Sequence, residues 1–152
     1  MKIDEVIKSK FQSSNHRAIV NLRYTSNFFA AKQNKFMAEF DLSLPQFNIL
    51  RILRGAKKSI TVNTVKDRMV EKSPNTTRLM DKLVEKGLID RARCDNDRRV
   101  VYVEISEAGL NILKKIDDKI LRDPYHDFSS NNLSEEEAEL LSDLLDKFRG
   151  DE

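Results

Sequence analysis

A single cysteine, Cys94, stands in this chain of 152 residues, so no disulfide closes within it. Glycine (4) and proline (3) are scarce, which leaves little material for long linkers or for a β fold of many turns. Tryptophan is absent, and the histidines, His16 and His126, form no metal-ligand spacing with Cys94. No apolar run approaches the roughly 20 residues that a membrane span needs. The first residues, Met1-Lys2-Ile3-Asp4-Glu5, lack the apolar core of a signal peptide. A glycine-rich phosphate loop, a nucleophile elbow and a histidine-centred acid/base set are all missing, which argues against an enzyme. Neither a cofactor nor a metal is expected, and the expected compartment is a reducing cytoplasm.

What is present favours helices: Lys, Glu, Leu and Asp abound, with 39% hydrophobic and 34% charged residues. The net charge of +2 conceals a strong asymmetry. Residues 1–50 carry seven basic and four acidic side chains, residues 51–99 fourteen and seven, and residues 100–152 six and fourteen. Positive charge is thus concentrated in the middle of the chain, the footprint of a polyanion-binding module.

Residues 5 to about 40 contain no Pro or Gly and read as one long helix, with Ile19, Leu22, Phe29, Phe36 and Phe40 on its apolar stripe. That stripe is wider and longer than a small domain requires, so part of it is expected to meet a partner chain. Ser43 and Gln46 have capping-box spacing, with Pro45 in the first turn of a second helix that ends near Gly55. Thr61 reads as the N-cap of a short third helix, with Val62, Val65 and Met69 inward. A fourth helix is expected over 73–87, with Ser73 as N-cap, Pro74 in its first turn and Gly87 as terminator. Ser106 caps the next helix, which Pro124 stops. Asn131-Asn132 turns the chain, and Ser134 with Glu137 opens a last amphipathic helix carrying Leu140, Leu141, Leu144, Leu145 and Phe148.

Two β-prone runs, Leu88 to Cys94 and Val100 to Ile105, flank Asp95-Asn96-Asp97-Arg98-Arg99 and read as a hairpin. The expected fold is therefore mainly α with a small β-hairpin: three short helices and a hairpin make a winged helix-turn-helix. Two adjacent arginines on a narrow tip suit a nucleic-acid minor groove, where negative potential is enhanced. A solvated charged turn is the alternative. Asp97 is expected to orient an arginine through a carboxylate–guanidinium pair and not to touch DNA.

On the fourth helix, Thr76, Leu79, Met80, Leu83 and Val84 define the core side. Pro74, Asn75, Arg78, Asp81, Lys82 and Glu85 point away, with Thr77 at an edge. Arg78 can pair with guanine and Asn75 with adenine, Thr77 and Ser73 can reach phosphate or a thymine methyl, and Lys82 suits a phosphate. The competing reading is a solvated face laced by ion pairs. The basic residues that continue into the hairpin, Arg91, Arg93, Arg98 and Arg99, favour the nucleic-acid reading.

The run Ser73-Pro74-Asn75-Thr76-Thr77-Arg78-Leu79-Met80-Asp81-Lys82-Leu83 closely resembles the MarR family of transcriptional regulators. So do Lys86-Gly87-Leu88-Ile89, Asp97-Arg98-Arg99 and Ile105-Ser106-Glu107-Ala108-Gly109, and the resemblance covers nearly the whole chain. Many members carry an apolar residue where Thr76 stands. The resemblance implies a homodimeric winged-helix regulator, an effector-responsive repressor before an activator, that binds double-stranded DNA at a pseudo-palindromic operator. Residues 1–40 and 106–152 would form the helical dimerisation region and 41–105 the DNA-binding region. Thr61, Ser73, Asn75, Thr77 and Arg78 match family DNA-contact positions. Arg98 matches the minor-groove residue, supported by Asp97, with Arg91 and Arg99 on the same wing. Tyr24, Phe28 and Phe47 can line an effector pocket between the two regions, although their helical spacing equally suits plain core. Two further readings stand beside this one: a winged helix used only as a protein-interaction scaffold, and a thiol sensor acting through Cys94. The first would not need a basic middle segment. The second lacks the thiol near the first helix that oxidant-sensing members carry.

Overall fold

The computed structural model describes residues 1–72, 74–123, 128 and 132–150. In chain order the elements are α1 (Ile3–Ile7), α2 (Ser14–Ala38), α3 (Leu44–Ala56), β1 (Ile60–Thr61), α4 (Val62–Arg68), α5 (Thr76–Glu85), β2 (Ile89–Arg93), β3 (Val101–Ile105), α6 (Glu107–Arg122) and α7 (Glu135–Arg149). No helix among the described residues is long and apolar enough to cross a membrane. The expected fold class holds: a mostly helical chain with a small antiparallel sheet.

The single long helix expected over residues 5–40 is divided. Lys8 turns left-handed at φ 52° and ends α1, and the extended Ser13 caps α2 by accepting the His16 N–H at 3.1 Å. Ser13, Ser14 and Asn15 are poor helix-interior residues and good caps, which is why the chain breaks there without Pro or Gly. Arg17 then ties the two helices together through Asp4 at 2.7 Å.

Around α3 the local signals and the packing agree. Ser43 and Gln46 form the expected reciprocal capping box. Phe47, Ile49, Leu50 and Leu53 are fully buried, and they meet Val65 of α4, Met80 and Leu83 of α5, Val103 of β3, and Leu113 and Ile116 of α6 in one core. Ile60 and Thr61, just ahead of the expected third helix, pair with Val103 and Tyr102 and add a third strand beside the expected hairpin, in the order β1-β3-β2. Thr61 still caps α4, its Oγ1 accepting the Thr64 N–H at 3.1 Å.

The end of α5 is a Schellman motif. Gly87, at φ 68°, donates its N–H to Val84 O, and Leu88 donates to Leu83 O. Leu83 and Leu88 are both buried, which supplies the accompanying apolar contact. Ser106 fastens the hairpin's return to this point: its Oγ donates to Gly87 O at 2.6 Å and accepts the Gly109 N–H at 3.1 Å. A Cβ on Gly109 would lie 2.2 Å from Leu88 O, so only glycine fits. Capping and close packing thus explain the serine and the glycine of the Ser-Glu-Ala-Gly run.

The terminal helices are different. Buried residues in α2 are confined to Phe36 and Met37, and α7 has none. Leu140 and Leu144 of α7 are 59% and 53% exposed, and Tyr24 and Phe28 of α2 are 43% and 47% exposed. Ser134 and Glu137 do form the expected capping box. The expected stop at Pro124 and the Asn131 half of the turn lie outside the described residues.

Candidate nucleic-acid interface

Helix α5 starts later than the sequence predicts. Its first helical residue is Thr76, with Asn75 as N-cap, in place of the expected start at 73. Asn75 has φ −86° and ψ 1°, the geometry of the third residue of a type I turn, and Pro74 suits the position before it. Proline and asparagine therefore close the turn between α4 and α5 instead of opening the helix. Ser73, the expected cap and DNA contact, lies outside the described residues. The same turn is held from the α4 side by Lys72, whose Nζ donates to the Asp67 carbonyl at 2.6 Å. A cation there also complements the helix C-terminus.

The face assignment of α5 agrees with its burial. Thr76, Met80 and Leu83 are buried, whereas Asn75, Thr77, Arg78, Lys82 and Glu85 are exposed. Thr76 thus fills a core position despite its hydroxyl.

Helices α4 and α5 and the hairpin enclose a concavity of about 320 Å³. Of the residues singled out in the sequence, Thr61, Thr77, Arg91 and Arg99 line it together. Asn63 and Lys66 of α4 line it too, and the sequence reading passed over them. Their signal was available: with Val62 and Val65 turned inward, positions 63 and 66 lie one turn apart beside the outward face. Lys82 lies on the opposite flank of α5, in a second depression with Asp41, Ser43, Gln46 and Lys86.

At the wing, Arg98 and Arg99 are exposed at the tip between β2 and β3. Asp97 does not grip a guanidinium, as the sequence leads one to expect. Its carboxylate accepts the backbone N–H of Arg99 at 3.0 Å, and its carbonyl accepts from Val100 at 3.0 Å. An aspartate two residues before an N–H closes an Asx turn readily, and that local bond is made in preference to an exposed ion pair. Neither Arg98 nor Arg99 has a carboxylate partner among the described residues. Arg91, lower on β2, does have one: its guanidinium is paired with Asp81 of α5. Cys94 is half-buried at the strand end, its N–H donated to Val100 O.

The three aromatic residues expected at an effector pocket differ in burial. Phe47 is buried, its ring 5.4 Å from that of Phe128, while Tyr24 and Phe28 stand exposed on α2. Lys32 lies over Phe28 and Arg51 over Phe47.

Residues 42–101, which span α3 to the start of β3, match the model of the MarR family. The multiple antibiotic resistance protein MarR of Escherichia coli (strain K12) is 30% identical over 114 residues, 75% of this chain and 78% of that protein. A crystal structure of a mutant of that MarR complexed with operator DNA aligns with a TM-score of 0.70 at 27% identity, covering 89% of this chain and 98% of the other. The transcriptional repressor IacR of Pseudomonas putida is 26% identical over 129 residues, 85% of this chain and 72% of that protein. The uncharacterized HTH-type regulator YfiV of Bacillus subtilis (strain 168) is 30% identical over 81 residues, and the match spans 53% of this chain and half (50%) of that protein.

Proposed function

The chain belongs to the MarR family of transcriptional regulators, and from that premise we propose that it is a homodimeric, sequence-specific DNA-binding repressor released by a small-molecule effector. The observation that carries this reading is the shared concavity: Thr61, Thr77 and Arg99 converge between α4, α5 and the wing, and Arg78 of α5 and Arg98 of the wing tip are exposed. That arrangement supports a reading in which one surface carries both a major-groove reader and a minor-groove probe.

In this reading α5 enters the major groove of a pseudo-palindromic operator. Arg78 pairs with guanine, Asn75 with adenine, and Thr77 reaches phosphate or a thymine methyl. Ser73, Thr61 and Lys82 hold phosphates and fix the register. Arg98 enters the flanking minor groove, and Arg99 holds the adjacent backbone or completes the turn. Asp97 supports both by fixing the backbone of the tip. Helix α7 and the exposed stripe of α2, together with the start and end of the chain around them (1–40 and 106–152), cover one another across two copies, and 41–105 reads the DNA. The cytoplasm is the compartment where such a regulator meets its operator. The repressor sense follows the naming of IacR.

Selection of genomic fragments with the purified protein tests the proposal. It should recover a two-fold symmetric site whose affinity falls steeply as salt rises, because several phosphates are neutralised. Equal retention of all fragments would favour the interaction scaffold instead.

A further inference from the structure

We propose that Asp81 and Arg91 form a positioning pair that fixes the angle between the recognition helix and the wing, an inference that rests on the DNA-binding reading above. Along β2, Ile89, Arg91 and Arg93 share one face, and across the ladder they oppose Ile105, Val103 and Val101. Ile89 and Val103 are buried, so alternation calls for an apolar side chain where Arg91 stands. Arg91 instead reaches across to α5, where the Asp81 carboxylate accepts its guanidinium hydrogen bond.

Asp81 is equally out of place without this partner. It lies one turn after Thr77 and three residues after Arg78, on the helix that faces a polyanion. A bare carboxylate there repels phosphate. Pairing with Arg91 cancels that charge and gives it a use. Both side chains remain about half exposed, at 45% and 40%, so the pair adds little to folding stability. Direction is what it supplies. The guanidinium is a planar fork that holds a carboxylate in one orientation, and Arg91 lines the concavity between α5 and the hairpin. Two readers that must enter neighbouring grooves together gain affinity only when their spacing allows both to engage. Arg91 is therefore a positioning residue and not itself a DNA contact, which revises the role its wing location implies.

The test uses two probes: a duplex recovered by the wild-type protein from a randomised pool, and a scrambled duplex of the same composition. Simple electrostatics requires Asp81→Asn to bind every duplex more tightly, since a negative charge is lost. The positioning pair requires the opposite on the recovered duplex, a loss of about ten-fold, with equal or tighter binding to the scrambled one. Arg91→Lys keeps the charge and loses the fork, so it should show the same loss of selectivity. The double variant should be no weaker than either single one, because one interaction is removed in all three. Thermal melting checks that each variant folds, and Arg91→Lys carries the test should Asp81→Asn not fold. Selectivity retained by every variant, or tighter binding of both duplexes by Asp81→Asn, overturns the pair alone. A wild-type protein that recovers no preferred duplex overturns the DNA-binding reading, and the pair's role with it.

Discussion

The body from α3 to β3 and the helices at the two ends of the chain treat their apolar residues in opposite ways. In the body each helix directs its stripe into one core, with Leu50, Val65 and Leu83 wholly buried. In α7 and the first part of α2 comparable stripes stand open, and no residue of α7 is buried. Leu140, Leu141, Leu144 and Phe148 present a contiguous apolar face on a helix whose opposite side is acidic. A patch of that kind marks an interaction surface more often than a solvated one. Under the proposed function the body reads DNA and the open stripes of the ends are covered by a second copy, although Phe36 and Met37 of α2 and Leu113 and Ile116 of α6 also complete the body's core.

Perturbing each region sharpens that contrast. The largest effect is expected at the ends: Leu141→Lys with Leu144→Lys should convert a dimer to a monomer in sedimentation at micromolar concentration. A wild-type protein that already sediments as a monomer removes the ends from any assembly role. In the body, Leu50→Ala leaves a cavity beneath the central helix and should cost about 2–5 kcal/mol in urea unfolding. An unchanged midpoint would mean that α3 is not the centre of the core. On the reading surface, Arg98→Ala should weaken operator binding by roughly 1–3 kcal/mol with no change in melting temperature. Arg78→Ala should relax base preference, whereas Lys82→Ala should weaken all sequences alike; the reverse pattern would mean that the face of α5 is misassigned.

The smallest effect lies at the start of the chain. The hydrogen bond from Arg17 holds the Asp4 carboxyl below its ordinary value. A depressed acid lends its tie above the ordinary carboxylate pKa and loses it as pH falls through the lowered one. Arg17→Ala should return the Asp4 titration to the ordinary range by NMR. Both side chains are solvent-exposed, so global stability should hardly change.

What the sequence made legible was whatever local chemistry decides. The caps at Ser43, Thr61, Ser106 and Ser134 and the glycine terminator at Gly87 each satisfy backbone groups within a few residues, and each is found where the residues predict it. Three features escaped for different reasons. Ile60-Thr61 becomes a strand only because Val103 and Tyr102, some forty residues on, offer their ladder. The break at residues 8–13 falls in a stretch without Pro or Gly, and its signal lies in the capping residues Ser13-Ser14-Asn15 instead. At Asp97 a short-range bond to the Arg99 N–H displaced the expected side-chain pair. In the reading surface, residue types named Thr61, Thr77, Arg91 and Arg99. Only the fold adds Asn63 and Lys66 and joins Arg91 to Asp81.

Hydroxyl-radical footprinting of the wild-type protein on its recovered genomic site tests the division between reading body and covered ends most directly. Two copies of one body should protect a two-fold symmetric pattern, with minor-groove protection outside two major-groove sites about one helical turn apart. A single asymmetric protected patch, or protection without minor-groove flanks, would contradict it.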